Sequence, residues 1–430
     1  MPDIRPFRAW RYASPLTPRI GELTSPLFDV VSDRQREALY REPLNSIHLS
    51  VPRPEAGLDA PTTAARTLAR WRADGVLTQD PLPGFYAYYQ SFQLPGAARA
   101  YVRRGFLALI RATDWEERAV LRHEDTMPAA VNDRTALLAA TQFQSSATHG
   151  LYHDPTHRLE ALLDEAISAP LYETEDYQGV RDVLAPIHDR QAIELIQRVV
   201  AEAPVVLADG HHRYEGSLHY RHARAAADPQ HTGEEDWNFH LMYLTNSAAD
   251  DLRILPTHRV LRTLTLPNDE FLARLAEFFV VTPREEPYEL PELIAGKAGA
   301  FGLYLQGEDG AAPQAYKLRL RPEAAALLDW PVPPAVADLD LTILHYFVFA
   351  RVLGMDREQQ RRAPELAYVR AVPDCLHRVE AGEAAAAFIT NEVTMTEVLR
   401  VCESGALMPQ KSTFFYPKVI SGFVFAGMGD

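Results

Sequence analysis

PVVLADGHHRYEGSL, residues 204–218, sets how this chain is read. The apolar run Val205–Ala208 reads as a short strand, Asp209-Gly210 as a sharp turn, and a helix opens on His211, His212 and Arg213. A strand turning straight into a helix aims main-chain N–H groups and the positive end of the helix dipole at one point. Gly210 has no side chain, so main chain can approach a ligand closely there. Arg213 supplies a fork that matches two phosphate oxygens. The histidines add donors or move a proton near neutral pH. The stretch fits an anionic oxygen cluster, most simply a phosphate. The plainer alternative is a surface turn whose Asp209 caps the helix. A zinc site is a rival on the same helix, because His211, Glu215, His219 and His222 share one face. That spacing is not the His-Glu-x-x-His of zinc proteases, and a solvated polar face explains it as well.

Beyond this stretch, strands and helices alternate. FYAYYQSF and GFLALIRA read as strands, and TTAARTLARWRAD (62–74) as a helix. Helices are expected at 133–142, 158–168 and 189–202, and a strand at NFHLMYLTN. Further on, FLARLAEFF, LTILHYFVFARVL and MTEVLRVCESG read as helices, and GAFGLYLQG, AYKLRLR and AAAAFIT as strands. The expected fold class is α+β with mixed sheets. Three regions are expected: 1–112, a phosphate-binding region 113–259, and an α/β region 260–430.

Bulk composition narrows the function. With 43 basic against 58 acidic residues the formal net charge is −15, which argues against a nonspecific nucleic-acid coat. The two cysteines, Cys375 and Cys402, are too few for a disulfide framework and suit a reducing cytoplasm. The N-terminus MPDIRPFRAWRY lacks a signal-peptide core, and no apolar run is long enough to span a bilayer. A cytoplasmic protein acting on a small molecule, without nucleic acid or membrane, is expected. The oligomeric state stays open, a homodimer included.

Other constellations are weaker. His123-Glu124-Asp125-Thr126 offers a histidine–carboxylate pair as general base and a carboxylate for magnesium, or is a charged loop entering a helix capped by Asp133. Thr257-His258-Arg259 places a cation at a pocket mouth or is a strand-entry turn. Gly405–Lys418, GALMPQKSTFFYPK, nearly spells a P-loop, but its second glycine is replaced by Gln410 and Pro409 removes an N–H. Lys411, Ser412, Thr413 and Lys418 still form a cationic, hydroxyl-rich loop able to close over an anion. Asp29 follows a turn and either faces a pocket or caps the helix VSDRQREALY. No GxSxG elbow or dinucleotide fingerprint is present.

Taken together, PFRAWRY, SPLFDVVS, PLNSIHL, RRGFLALIR, HEDT with Arg134, ADGHHRYEGSL, LPTHR and MPQKSTFFYPK resemble the DUF1015 family over nearly the whole chain. Leu27-Phe28 stands where that family usually has Pro-Tyr before Asp29. The DGHHR box also resembles the Gly-x-x-Arg box of the ParB/sulfiredoxin superfamily, including kinases of free serine. The resemblance implies a ParB/sulfiredoxin-like strand–turn–helix unit that binds nucleotide phosphates. Histidine stands where sulfiredoxins have their catalytic cysteine, so their activity is not implied.

The function expected is a small-molecule kinase, with free L-serine giving O-phosphoserine as the leading case. Gly210, His211, His212 and Arg213 would hold the phosphates of ATP, ADP or pyrophosphate. Mg2+ would be held by Glu124 or Asp209, and the base drawn from Asp209, His123, Glu124 and His212. Asp29, His258, Arg259, Lys411, Ser412 and Thr413 would hold the substrate. The alternatives are a non-enzymatic nucleotide or metabolite sensor and a metal-dependent phosphoester hydrolase.

Overall fold

Residues 1–95 and 97–429 are described by the computed structural model. The chain forms two compact units. Unit 1 comprises Met1–Arg122, Thr126–Arg253 and Pro417–Asp430; unit 2 comprises His123–Asp125 and Ile254–Tyr416.

Unit 1 is built on a nine-stranded mixed sheet. Its strands are β1 (Ile4–Arg5), β2 (Phe85–Phe92), β3 (Tyr101–Arg111), β4 (Val120–Leu121), β5 (Thr148–Tyr152), β6 (Tyr172–Glu175), β7 (Arg181–Ile187), β8 (Val205–Asp209) and β9 (Phe239–Asn246). The order is β4-β8-β5-β9-β3-β2-β7-β6, with β1 on β3. The β4/β8 and β5/β9 pairs are parallel and the others antiparallel. The central strands are apolar on both faces because both faces are covered. Phe85, Phe106, Ile110, Leu207 and Leu244 form one core with Ile196 and Val199 of a helix, Arg190–Val200, and Tyr214 and Leu218 of another, His211–Ala227. Tyr86, Leu107, Leu241 and Tyr243 form the opposite core with Trp71, Phe423 and Phe425.

Four helices of unit 1 are α1 (Ala60–Ala73), α2 (Pro128–Thr141), α3 (Arg190–Val200) and α4 (His211–Ala227). Strands read from the first region of the sequence pair with strands from the second: β3 of one lies beside β9 of the other. Unit 2 carries a six-stranded antiparallel sheet. Its strands are β10 (His258–Leu261), β11 (Phe279–Arg284), β12 (Ala300–Leu305), β13 (Gln314–Leu320), β14 (Leu366–Val369) and β15 (Ala386–Ile389), in the order β11-β13-β12-β15-β10-β14.

The α+β class with mixed sheets is borne out. Local details differ from the sequence reading. The helix expected from Asp133 begins at Pro128, whose fixed φ suits a first turn; Asp133 lies inside it, paired with Arg134. The helix after Asp29 is capped by Ser32, which forms a reciprocal capping box with Gln35, and Asp29 is exposed in the preceding turn. The apolar helix of unit 2 is α-helical over Asp340–Leu344 and then π-helical over His345–Val352. Among the described residues no helix is long and apolar enough to cross a membrane.

Candidate functional site

The 204–218 stretch folds as expected. β8 ends at Asp209, Gly210 takes φ 91°, and α4 begins at His211. That φ is open to glycine and strained for other residues. A Cβ at position 210 would lie 2.6 Å from Thr148 Cγ2 and 2.9 Å from Arg213 Nη2. The N-cap position is Gly210, which has no side chain to cap with, and Asp209 stands one residue before it.

The Asp209 carboxylate instead faces two cations. Arg213 Nη2 donates to Oδ2 at 3.0 Å, and Lys418 Nζ donates to Oδ1. All three side chains are largely buried. Burial opposes the charge, but Lys418 and then Arg213 outweigh it and hold the carboxyl well below the usual carboxylate range. Arg213 also donates to the Ala147 carbonyl and reaches Ser146 Oγ at 3.5 Å. His212 Nε2 accepts from the Met127 amide at 3.0 Å, which fixes its tautomer. A small cavity beside Arg213 is lined by Arg134, Ser145, Ser146, Ser217 and His240. Burial lowers the His240 imidazole to about 3, helped by Arg213, so it stays neutral between Ser217 and Thr148.

Lys418 reaches this corner because the chain returns to unit 1 at Pro417. Its carbonyl accepts from Gln90 Nε2 at 3.0 Å. Cross-strand register sets Asp182, Gln90 and Arg103 side by side. Tyr88 and Gln90 donate to Asp182 Oδ1 at 2.5 and 2.8 Å, and Oδ2 has no hydrogen-bond partner among the described residues. Burial pushes this carboxyl up to about 7. In sequence these residues sit beside other polar residues, Ser91, Arg104 and Arg181, so nothing local marks them as a cluster.

A second group of predicted residues gathers in unit 2. The 408–413 loop holds the HEDT segment: the Met408 amide donates to the His123 carbonyl at 2.8 Å, and the Lys411 amide to Glu124 Oε1 at 3.2 Å. His123 Nε2 lies 2.8 Å from Thr413 Oγ1, and Ser412 Oγ donates to the Pro409 carbonyl at 2.5 Å. Arg259 is fully buried, donating to the carbonyls of Thr257, Gln410 and Lys411 and to His345 Nε2. Burial lowers its guanidinium to about 10. His258 is buried too, accepting from the Thr390 amide, and burial followed by Arg259 lowers it to about 4. Arg259 thus holds the loop, His258 anchors the Thr390 backbone, and neither faces solvent. Lys411 is exposed.

The proposed metal ligands Glu124 and Asp209 belong to different units. Both Asp209 oxygens already face cations, so that carboxylate does not make a metal cradle. On α4, Glu215 accepts from Trp115 and pairs with Arg122, and His222 pairs with Asp114. Among the described residues no group of three or more His, Cys, Asp or Glu side chains could hold a metal ion.

Fold and corner together define a mixed α/β protein with a cationic strand–turn–helix corner. The chain belongs to the family described as "protein of unknown function (DUF1015)", whose model matches residues 4–342. No curated protein matches it significantly. Among solved structures it is similar to a mutant free serine kinase in complex with AMP (TM-score 0.39, 13% identity, covering 72% of this chain and 88% of that one). It is also similar to a conserved hypothetical protein from Pyrococcus furiosus (TM-score 0.34, 15% identity, 69% and 87% covered). A third is SbnI with a C-terminal truncation from Staphylococcus aureus (TM-score 0.34, 10% identity, 74% and 86% covered). Likeness at this level assigns no residue of this chain a role.

Proposed function

We propose that this protein is a small-molecule kinase, with the hydroxyl of free L-serine as the leading acceptor and a nucleotide or pyrophosphate as donor. The observation that supports the reading is the Gly210 corner: a 17-residue helix whose N-cap is a glycine, two buried cations and one carboxylate between them. The corner carries a surplus positive charge where helix amides converge, which suits a phosphate.

Gly210, His211, His212 and Arg213 hold the donor phosphates, and Lys418 adds a charge that sequence reading did not assign to this box. The hydroxyl oxygen attacks the terminal phosphorus, and the bond to the donor's bridging oxygen breaks. The leaving group keeps that oxygen and its electron pair. Asp209 receives the hydroxyl proton. A carboxylate of low basicity suffices, because the transition state is loose and the work is positioning and charge neutralisation. The reading does not depend on His123 or Glu124, which belong to unit 2. We assign no step to a protein-bound metal.

Phosphorus NMR of the full chain with serine, magnesium and ATP, ADP or pyrophosphate tests this. The expected result is a phosphoserine resonance, absent from Arg213→Ala with the fold retained by circular dichroism. Donor binding without product would replace the kinase with a sensor of the same phosphate chemistry.

A further inference from the structure

Unit 2 contains a cleft of about 410 Å³ that the kinase reading does not use. That volume lies within the range of small-molecule sites. Its floor is complete. Arg259 Nε donates to His345 Nε2 at 3.2 Å, so the imidazole is protonated at Nδ1, which lies 2.8 Å from Gln360 Oε1. Gln360 Nε2 in turn donates to the carbonyls of His345 and Met355. Burial, then Arg259, keeps this imidazole neutral. The floor therefore positions the walls and leaves recognition to them.

The walls hold unused donors. The Arg357 guanidinium lies 5.1 Å from the Trp330 ring centroid, and Arg259 lies 5.1 Å from that of Tyr368 on the buried side. The Trp330 indole N–H, the Arg357 guanidinium and the Tyr368 hydroxyl have no hydrogen-bond or ion-pair partner among the described residues. The acidic side chains of the cleft are matched: Asp125 by Arg361, and Glu358 by Arg362 at 2.7 Å. What remains is donors without acceptors, positive charge without counter-charge, and two aromatic faces. His345 also opens the π-helix His345–Val352, a rare conformation that recurs at functional sites.

We propose that this cleft binds an organic anion carrying a planar ring, the ring against Trp330 and Tyr368 and the acidic group on Arg357. A ring stacked on an aromatic face and a guanidinium on an oxyanion are the contacts these walls leave open. The inference is independent of the kinase reading, because all the lining residues belong to unit 2.

Calorimetric titration of the full chain with AMP tests it, with ribose 5-phosphate and inorganic phosphate as ringless probes. The titrations are run on Arg213→Ala, which removes the unit 1 corner, and on Arg213→Ala combined with Arg357→Gln. The expected result is AMP binding by Arg213→Ala that Arg357→Gln weakens about tenfold or more. Tyr368→Phe provides a second variant that keeps the ring and removes the donor, with an expected loss of several-fold. Arg357 is exposed, so its substitution leaves the melting temperature unchanged. Equal AMP affinity with and without Arg357→Gln overturns the site, and so does absence of AMP binding to Arg213→Ala. Ribose 5-phosphate binding as tightly as AMP overturns the ring subsite. Failure of serine phosphorylation leaves this inference standing, since neither readout uses turnover.

Discussion

Asp209→Asn keeps the shape of the side chain and removes its charge. The carboxylate faces Lys418 and Arg213, whose side chains are 14% and 6% exposed. Taking away the anion leaves both cations buried without it, and breaking a buried pair in this way costs roughly 3–5 kcal/mol. In a domain of this size that lowers the melting temperature by roughly 6–20 °C. The corner's net charge rises from one positive unit to two, since Arg213 and Lys418 are no longer offset. An anion at that corner then binds roughly tenfold or more tightly. Asp209→Asn is thus expected to be less stable alone, more strongly stabilised by pyrophosphate, and without phosphotransferase activity. The wild-type carboxyl sits below its unfolded value, so its contribution is complete above about pH 4 and is lost as pH falls further. The gap in melting temperature between the two proteins therefore narrows in acid. Thermal melts from pH 3 to 7, with and without pyrophosphate, read both effects. A variant that melts with the wild type at pH 7, or that pyrophosphate stabilises less, overturns this picture of the corner.

Gly210→Ala forces an L side chain into φ 91° and against Thr148, which is expected to cost roughly 1–3 kcal/mol and to abolish donor binding; an unchanged pyrophosphate isotherm contradicts this. Asp182→Asn retains the acceptor for Tyr88 and Gln90 and removes a carboxyl whose folded value is about 7. Because the unfolded carboxyl loses its proton near pH 4 and the folded one keeps it to about pH 7, wild-type stability falls across that interval. The variant's advantage in urea denaturation grows from pH 5 to pH 8, by roughly 1.4 kcal/mol for each pH unit between pH 5 and the folded carboxyl's value; an advantage equal at both pH values sinks the idea. Arg259→Met leaves three carbonyls and His345 without their buried donor and is expected to destabilise the protein by about 3 kcal/mol or more, seen as a lower urea midpoint.

The β8–α4 junction was legible because its signals are local. An apolar run, an Asp-Gly turn and a polar helix opening fall within 15 residues, and glycine answers a backbone demand visible in sequence. The alternation of strands and helices was legible for the same reason, and so was the mixed class of fold. Long-range delivery was not. Lys418 appeared to belong with Lys411 in one loop, yet it stands beside Asp209, 209 residues earlier in the chain. Nothing in the local pattern of MPQKSTFFYPK marks where the chain crosses from one unit to the other. Arg259 read either as a cation at a pocket mouth or as part of a strand-entry turn; it is fully buried, and its partners are carbonyls and His345, which sequence does not label. The helix starts misplaced at Asp133 and Asp29 show competition between caps: Pro128 and Ser32 lie nearby and fit the first turn better.

The proposed chemistry requires a transferable phosphate to sit where β8 turns into α4. A crystal structure of the full chain with ADP decides the matter. Phosphate density is expected within hydrogen-bonding distance of the Gly210–Arg213 amides, with Lys418 turned from Asp209 toward it. Phosphates bound elsewhere, with Asp209, Arg213 and Lys418 still locked together, would rule it out.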